Sequence, residues 1–324
     1  MFIIDITSLS LLVILALLLD RLLGEPRYYH PLVGFGWLAH KIEKLLNHQF
    51  SQPHSHLQKY IHYHRLKGLF AWGLAVVPIT VCVYFLDQWI GGIYLAVICG
   101  WLAIGWKSLR QHGLAVWDAL QQKDLAQARL KTSYLVSRDT SQLDESALSR
   151  ATIESLLENG SDAIIAPLFW LLLLGAPGVV FYRLCNTLDA MWGYHNSRFE
   201  QFGKVTARID DVLNLIPARV TALLYTLCGD SRQAWQAWRQ QGASWYSPNA
   251  GVVMASGAGA LQLKLGGTAV YHGKEKSRPE LGYGHQAQAK DIKAAIDLLD
   301  RSIYLVLYMA FGVALGMLIF NPEF

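Results

Sequence analysis

The chain is poor in charge. Only 16% of its 324 residues are Asp, Glu, Lys or Arg, against roughly 25% in soluble domains. Hydrophobic residues make up 53%, and mean hydropathy is +0.25, a balance that argues against an ordinary soluble domain. Cysteine is scarce as well. The four present (Cys82, Cys99, Cys185, Cys228) form no CxxC pair, and each sits in or beside an apolar run, as structural thiols do. No Walker A sequence occurs, and GAGALQ (257–262) does not complete GxGxxG, so neither nucleotide fingerprint applies. Internal repeats, low-complexity tracts and strand-like alternation are missing, which leaves no argument for a sheet. A basic n-region and a small-residue cleavage site are lacking too, so no signal peptide is expected. Finally, Lys and Arg are absent before Arg21, between 87 and 91, and after Arg301.

What is present suits a membrane. Apolar segments at 8–22, 68–87, 91–107 and 302–320 approach the roughly 20 residues that a bilayer crossing needs. The positions of Lys and Arg place both termini outside and the long loops in the cytoplasm. The apolar run 163–183 is interrupted by Gly175-Ala-Pro-Gly178, which predicts a re-entrant or buried helix pair. A further apolar helix is expected at 212–228. Other helices are expected at about 34–48, over 107–162 with turns near 137–145, at 186–200, from 206, and from about 288. The expected fold class is all-α: a polytopic integral membrane protein of one domain, with cytoplasmic helical segments forming an inward-facing site.

Three constellations carry the chemistry. In 137–162, SRDTSQLDESALSRATIESLLENGSD, Ser141 or Asp144 is placed to cap a helix. Arg150, Glu154 and Glu158 then share one helix face, and Asn159 and Asp162 extend the acidic patch toward the apolar run. Such a patch suits Mg²⁺, held by one or two carboxylates with waters and substrate phosphates, or an amine. The second, 183–219, spaces Asn186 and Asp189 one turn apart, Arg208 and Asp211 likewise, and Asp210 and Asn214 at i, i+4. Arg208 and Arg219 offer planar forks for phosphate or carboxylate. The third, 247–282, is rich in glycine, which fits close backbone approach to a ligand or to a neighbouring helix. His54, His56, His62 and His64 match no standard metal spacing. Trp235, Trp238 and Trp245, interleaved with Arg239, fit a membrane interface better than a flat ligand.

Whole motifs resemble the CobD/CbiB family of cobalamin-biosynthesis membrane proteins, the adenosylcobinamide-phosphate synthases. The resemblance runs in one order through LLLDRLLGEP (17–26) with His30-Pro31, SRDTSQLDE (137–145), ESLLENGSDAIIAPLFW (154–170) and NTLDAMWGY (186–194). It continues in ARIDDVLNLIPAR (207–219), SPNAG (247–251), GALQLKLGG (259–267) and RPELG (278–282). It implies ligation of (R)-1-amino-2-propanol phosphate, or a similar amino alcohol, to a propionate of adenosylcobyric acid, with ATP and Mg²⁺. Where many relatives carry His-Pro before SPNAG and Trp-Pro after it, this chain has Trp245-Tyr246 and Val252-Val253; an Arg common after the NTLD…GY motif is His195 here.

The chemistry implied by the resemblance assigns roles. Glu154, Glu158 and Asp162 are expected at Mg²⁺ or the amine, with Glu158 and Asp162 as the metal ligands. Arg138 (beside Asp139), Arg208 and Arg219 are expected at phosphate. Asn159, Asn186, Asp189, Asp211 and Asn214 are expected to orient the reacting groups, and Asn249 and Gly251 to meet corrinoid or nucleotide, with His30 in the cleft wall. The expected partners are the two substrates and the lipid bilayer of a bacterial inner membrane, and no nucleic acid. Self-association or a complex with other corrinoid-pathway enzymes is left open. The competing reading is a non-enzymatic membrane regulator of the AmpE type.

Overall fold

A computed structural model describes residues 6–26, 28–47, 57–91, 93–194, 196, 198–271 and 274–320. The order is α1 (Ile6–Leu23), α2 (Pro31–Leu46), α3 (Leu57–Ile90), α4 (Ile93–Ala103), α5 (Trp106–Gln121), α6 (Leu125–Ser133), α7 (Glu145–Gly160), a π-helical turn (Ser161–Ile165), α8 (Ala166–Trp192), α9 (Lys204–Leu213), α10 (Leu215–Cys228), α11 (Ser231–Gln241) and α12 (Ala250–Ala260). Five short strands follow, β1 (Leu263–Gly266), β2 (Ala269–Tyr271), β3 (Lys274–Lys276), β4 (Glu280–Leu281) and β5 (His285–Gln286), and then α13 (Ala289–Phe320). The protein is an all-α polytopic membrane protein. Among the described residues, four helical stretches are long and apolar enough to cross a membrane: Ile61–Ile90, Ile93–Gln121, Glu145–Trp192 and Ala289–Ile319. The outward faces of α3 and α13 carry Phe70, Val77, Phe85, Tyr308, Phe311 and Leu318, all exposed, as a lipid-facing surface requires.

The chain forms two compact units, residues 1–104 with 167–214, and residues 105–166 with 215–324. In the first, α1 packs on α4 through buried Leu12, Val13, Ala16 and Leu17, and the Trp101 indole donates to the Gly24 carbonyl at 3.0 Å. Helix α2 starts where the sequence dictates. Pro31 occupies its first turn, and the His30 ring accepts from the Leu32 N–H, satisfying one of the unpaired first-turn donors. Near the other end of α2, buried Glu43 holds Arg198 through two charge-assisted bonds. Helix α8 breaks at Gly175, whose φ of 65° and ψ of −150° only glycine adopts without strain. Pro177 follows at once, so the apolar run is two helical pieces.

The second unit is built around α7, which is buried from Leu148 to Leu157 except at Arg150, among α5, α6, α12 and α13. Asp144 caps it, accepting from the Ala147 N–H at 2.8 Å. Asp300 on α13 accepts from Trp106 at 2.8 Å and Arg110 at 3.0 Å on α5, fastening those two helices. Helix α12 is buried along its whole length because its residues are small. Gly257 meets Leu157, and Gly259 meets the backbone of α11. The glycine-rich stretch therefore serves helix packing over α12. Beyond it, β1 pairs antiparallel with β4 and parallel with β5, and β2 pairs with β3. Strands of two to four residues are too short to show an alternation in sequence.

Candidate functional site

Polar chemistry gathers in the second unit around one carboxylate. Glu154 Oε1 accepts from the Gly266 N–H at 2.9 Å and from Arg278 Nη2 at 3.0 Å. Its Oε2 accepts from Arg138 Nη2 at 2.8 Å and Arg278 Nη1 at 2.9 Å. The Glu154, Arg138 and Arg278 side chains are only 5–6% exposed. Arg278 is held further by the carbonyls of Gly266 and Gly267 and lies against the Trp245 ring, 5.2 Å from its centroid. Gly266 makes this possible. Its φ is +78°, and a Cβ there would strike the Pro279 carbonyl.

With both oxygens doubly engaged, Glu154 has no lone pair suited to a metal or an amine, contrary to the expected role. It anchors two guanidinium groups instead. Arg150 adds a third cation within electrostatic reach of Glu154, Arg138 and Arg278, and donates to the Thr268 carbonyl at 3.3 Å. Three arginines converge on buried Glu154, with Glu158 lining the same cavity and Asp144 near Arg150, and the buried Nε of Arg138 has no partner. Beside them opens a cavity of about 250 Å³ lined by Ser137, Arg138, Glu154, Ser155, Glu158, Asn159, Trp245 and Arg278. Asn159 commits its amide to the Ser155 carbonyl and hydroxyl. Directly after Glu158 and Asn159 the helix widens into the π turn that carries Asp162, a distortion often found at functional sites.

Other expected residues fall elsewhere. Asp139 is exposed, and its carboxylate accepts the Ser141 N–H at 2.8 Å, a bond that holds it below the usual carboxylate range. Arg219 donates to the side chain of buried Asn249 and to the carbonyls of Leu215 and Pro248. The space beside Gly251 is filled by Gly242 and Trp245, so protein rather than ligand makes the close approach there. Arg208 is exposed, 4.0 Å from Asp211 on the same helix, the geometry of a surface pair.

In the first unit Asp210, absent from the expected set, is the centre of a network. Its two oxygens accept from Asn186 at 3.2 Å and Asn214 at 2.9 Å, and Tyr182 donates to Asn214 at 2.9 Å. This joins α8 to α9. Asp189 lies half-buried near the end of α8, with Gly193 against its carboxylate. His54, His56 and His195 lie outside the described residues, and His64 is buried. Among the described residues no group of three His, Cys, Asp or Glu could hold a metal ion, and all four cysteines are free.

The family description "CobD/Cbib protein" matches residues 13–299.

The chain belongs to the CobD/CbiB family.

A cobalamin biosynthesis protein CobD of Stutzerimonas stutzeri is 50% identical over 307 residues, covering 94% of this chain and 98% of the relative. The protein of that name from Chromobacterium violaceum is 49% identical, covering 94% of this chain and 96% of the relative. The one from Mycobacterium tuberculosis is 36% identical, covering 88% and 90%. No solved structure matches the chain. Within this CobD/CbiB chain, the residue that sequence reasoning missed is Arg278. It lies 124 positions from Glu154, beyond any helical spacing rule, and its only sequence signal is the RPELG motif.

Proposed function

We propose that the Arg138–Glu154–Arg278 pocket is where this protein joins (R)-1-amino-2-propanol phosphate, or a similar amino alcohol phosphate, to a propionate of adenosylcobyric acid in cobalamin biosynthesis. The carrying observation is the Arg138 Nε–H, buried and unpartnered beside the cavity. A phosphate and a propionate are both oxyanions, and charge-assisted bonds from a preorganised guanidinium are the strong way to hold either. Glu154 fixes the arginines, so little reorganisation accompanies binding.

Amide formation joins the amine nitrogen to the carboxyl carbon. The carboxylate oxygen that is displaced would leave as phosphate, after phosphoryl transfer from ATP has made the propionate an acyl phosphate, and the ammonium gives up two protons. Glu158 lines the pocket and is assigned as the group that orients the amine and takes its proton. Glu158 and Asp162, four positions apart, are the carboxylates that would hold Mg²⁺, an ion that takes one or two protein carboxylates when a substrate phosphate completes the shell. When bound, Mg²⁺ would offset phosphate charge. Asn159 and Ser155 shape the wall beside the reacting groups. ATP is the expected co-substrate that activates the propionate, although the sequence carries no glycine-rich phosphate loop of the standard kind for it.

The test uses purified protein in detergent with both substrates and Mg²⁺, with and without ATP, following product mass. Product from the parent and its loss in Glu158→Gln is the expected result. A folded parent that binds the corrinoid yet makes no product under either condition overturns the reading.

A further inference from the structure

The first unit holds a second cavity, of about 390 Å³, whose walls are almost wholly apolar. Phe35 and Leu38 of α2, Val83 of α3, Leu102 of α4 and Leu184 of α8 are among its lining. Two polar groups also face it, His30 and Arg183. Neither His30 Nε2 nor Arg183 Nε, both buried, has a hydrogen-bond partner.

The protonation of His30 follows from its other nitrogen. Nδ1 accepts the Leu32 N–H at 3.2 Å, so a neutral ring carries its proton on Nε2. Both orphans are therefore N–H donors, and Arg183 is charged. One of its terminal nitrogens reaches Asn186 Oδ1 at 3.3 Å. Asp210 lies within electrostatic reach, but its oxygens are engaged by Asn186 and Asn214.

A buried donor without an acceptor is costly, and an apolar cavity gives no water the two to four polar partners it needs. A polar metabolite would be desolvated against these walls without return. An apolar tail ending in an oxyanion satisfies both wall and donors. We propose that this cavity binds one anionic amphiphile, with its tail against α2, α3 and α4 and its carboxylate or phosphate ester on Arg183 and His30. The site does not depend on the amide-forming reading, because every residue in it belongs to the other unit.

Dodecyl phosphate and dodecanol are the probes, titrated into the full chain in neutral detergent and scored by native mass spectrometry. The parent is expected to retain one dodecyl phosphate, and to bind dodecanol about 10-fold more weakly, as the loss of one charge-assisted bond implies. Arg183→Gln should lower dodecyl phosphate affinity about 10-fold and leave dodecanol nearly unchanged. Gly34→Leu should block both, since Gly34 lines the cavity and a Cβ there meets nothing within 4 Å, so the added side chain has room to occupy the space. Circular dichroism and unfolding temperature establish that both variants fold. Equal affinity for the two probes, undiminished binding in a folded Gly34→Leu, or no retention by the parent each overturns the proposal. Retention of a zwitterionic phospholipid in place of dodecyl phosphate also overturns it, because that outcome makes the cavity a passive lipid void.

Discussion

Two carboxylates, buried Glu154 and half-buried Asp210, organise the two units, and they are held in opposite ways. Glu154 is gripped by guanidinium groups and a backbone N–H, while Asp210 is gripped by the neutral amides of Asn186 and Asn214. The first arrangement leaves a guanidinium N–H without a partner beside an open cavity. The second uses both oxygens to tie α8 to α9. Neutral amides satisfy a carboxylate and stop there, whereas extra arginines create demand for another anion. That asymmetry places the substrate anion of the proposed reaction beside Glu154, while Asp210 joins α8 to α9 and Arg183 near it faces the separate apolar cavity.

The comparison is broken most severely by Glu154→Gln. Removing the one charge that pairs buried Arg138 and Arg278 should destabilise the second unit by about 3–5 kcal/mol, read as a large drop in unfolding temperature in detergent. Gly266→Ala attacks the same cluster through backbone, because its positive φ and its approach to Pro279 leave no room. A loss of about 1–3 kcal/mol is expected, with parallel loss of amide-forming activity. At the other carboxylate, Asn214→Ala should cost about 1–3 kcal/mol by leaving an Asp210 oxygen and the Tyr182 hydroxyl short of a partner. If Asn214→Ala proves as damaging as Glu154→Gln, the contrast between charged and neutral grips fails.

The smallest effect is on pH dependence. Asp230 caps α11, and the Gln233 N–H holds its carboxyl below the usual range. A depressed folded value means stabilisation that is present above the ordinary carboxylate pKa and lost as pH falls through the folded one. Unfolding temperature should thus fall slightly between about pH 5 and about pH 3, and fall less in Asp230→Asn. An identical slope in both would remove the cap from the account.

Much of this was legible in sequence, for local reasons. The start of α7 follows from Asp144, and the break in α8 follows from Gly175 with Pro177, because caps and glycine geometry act over a few residues; α2 begins at Pro31, ahead of the start expected at about 34. Arg138, Glu154, Glu158 and Asn159 were recognised as chemistry-bearing, and they share a pocket. Their division of labour was not visible. Glu154 looked like a ligand because its partners, Arg278 and Gly266, arrive from more than 100 positions away on a strand-bearing segment too short to show a period. The i, i+4 spacing of Asp210 and Asn214 was noticed, yet the central position of Asp210 required α8 to pack on α9.

The central claim is that Arg138 presents an unpaired donor to a substrate oxyanion. Its most direct test is the KM for (R)-1-amino-2-propanol phosphate in the parent and in Arg138→Gln, where Glu154 keeps Arg278 and Gly266. The account predicts a rise of about 10- to 100-fold, the equivalent of a charge-assisted bond, in a protein that unfolds close to the parental temperature. An unchanged KM in a folded Arg138→Gln would contradict it.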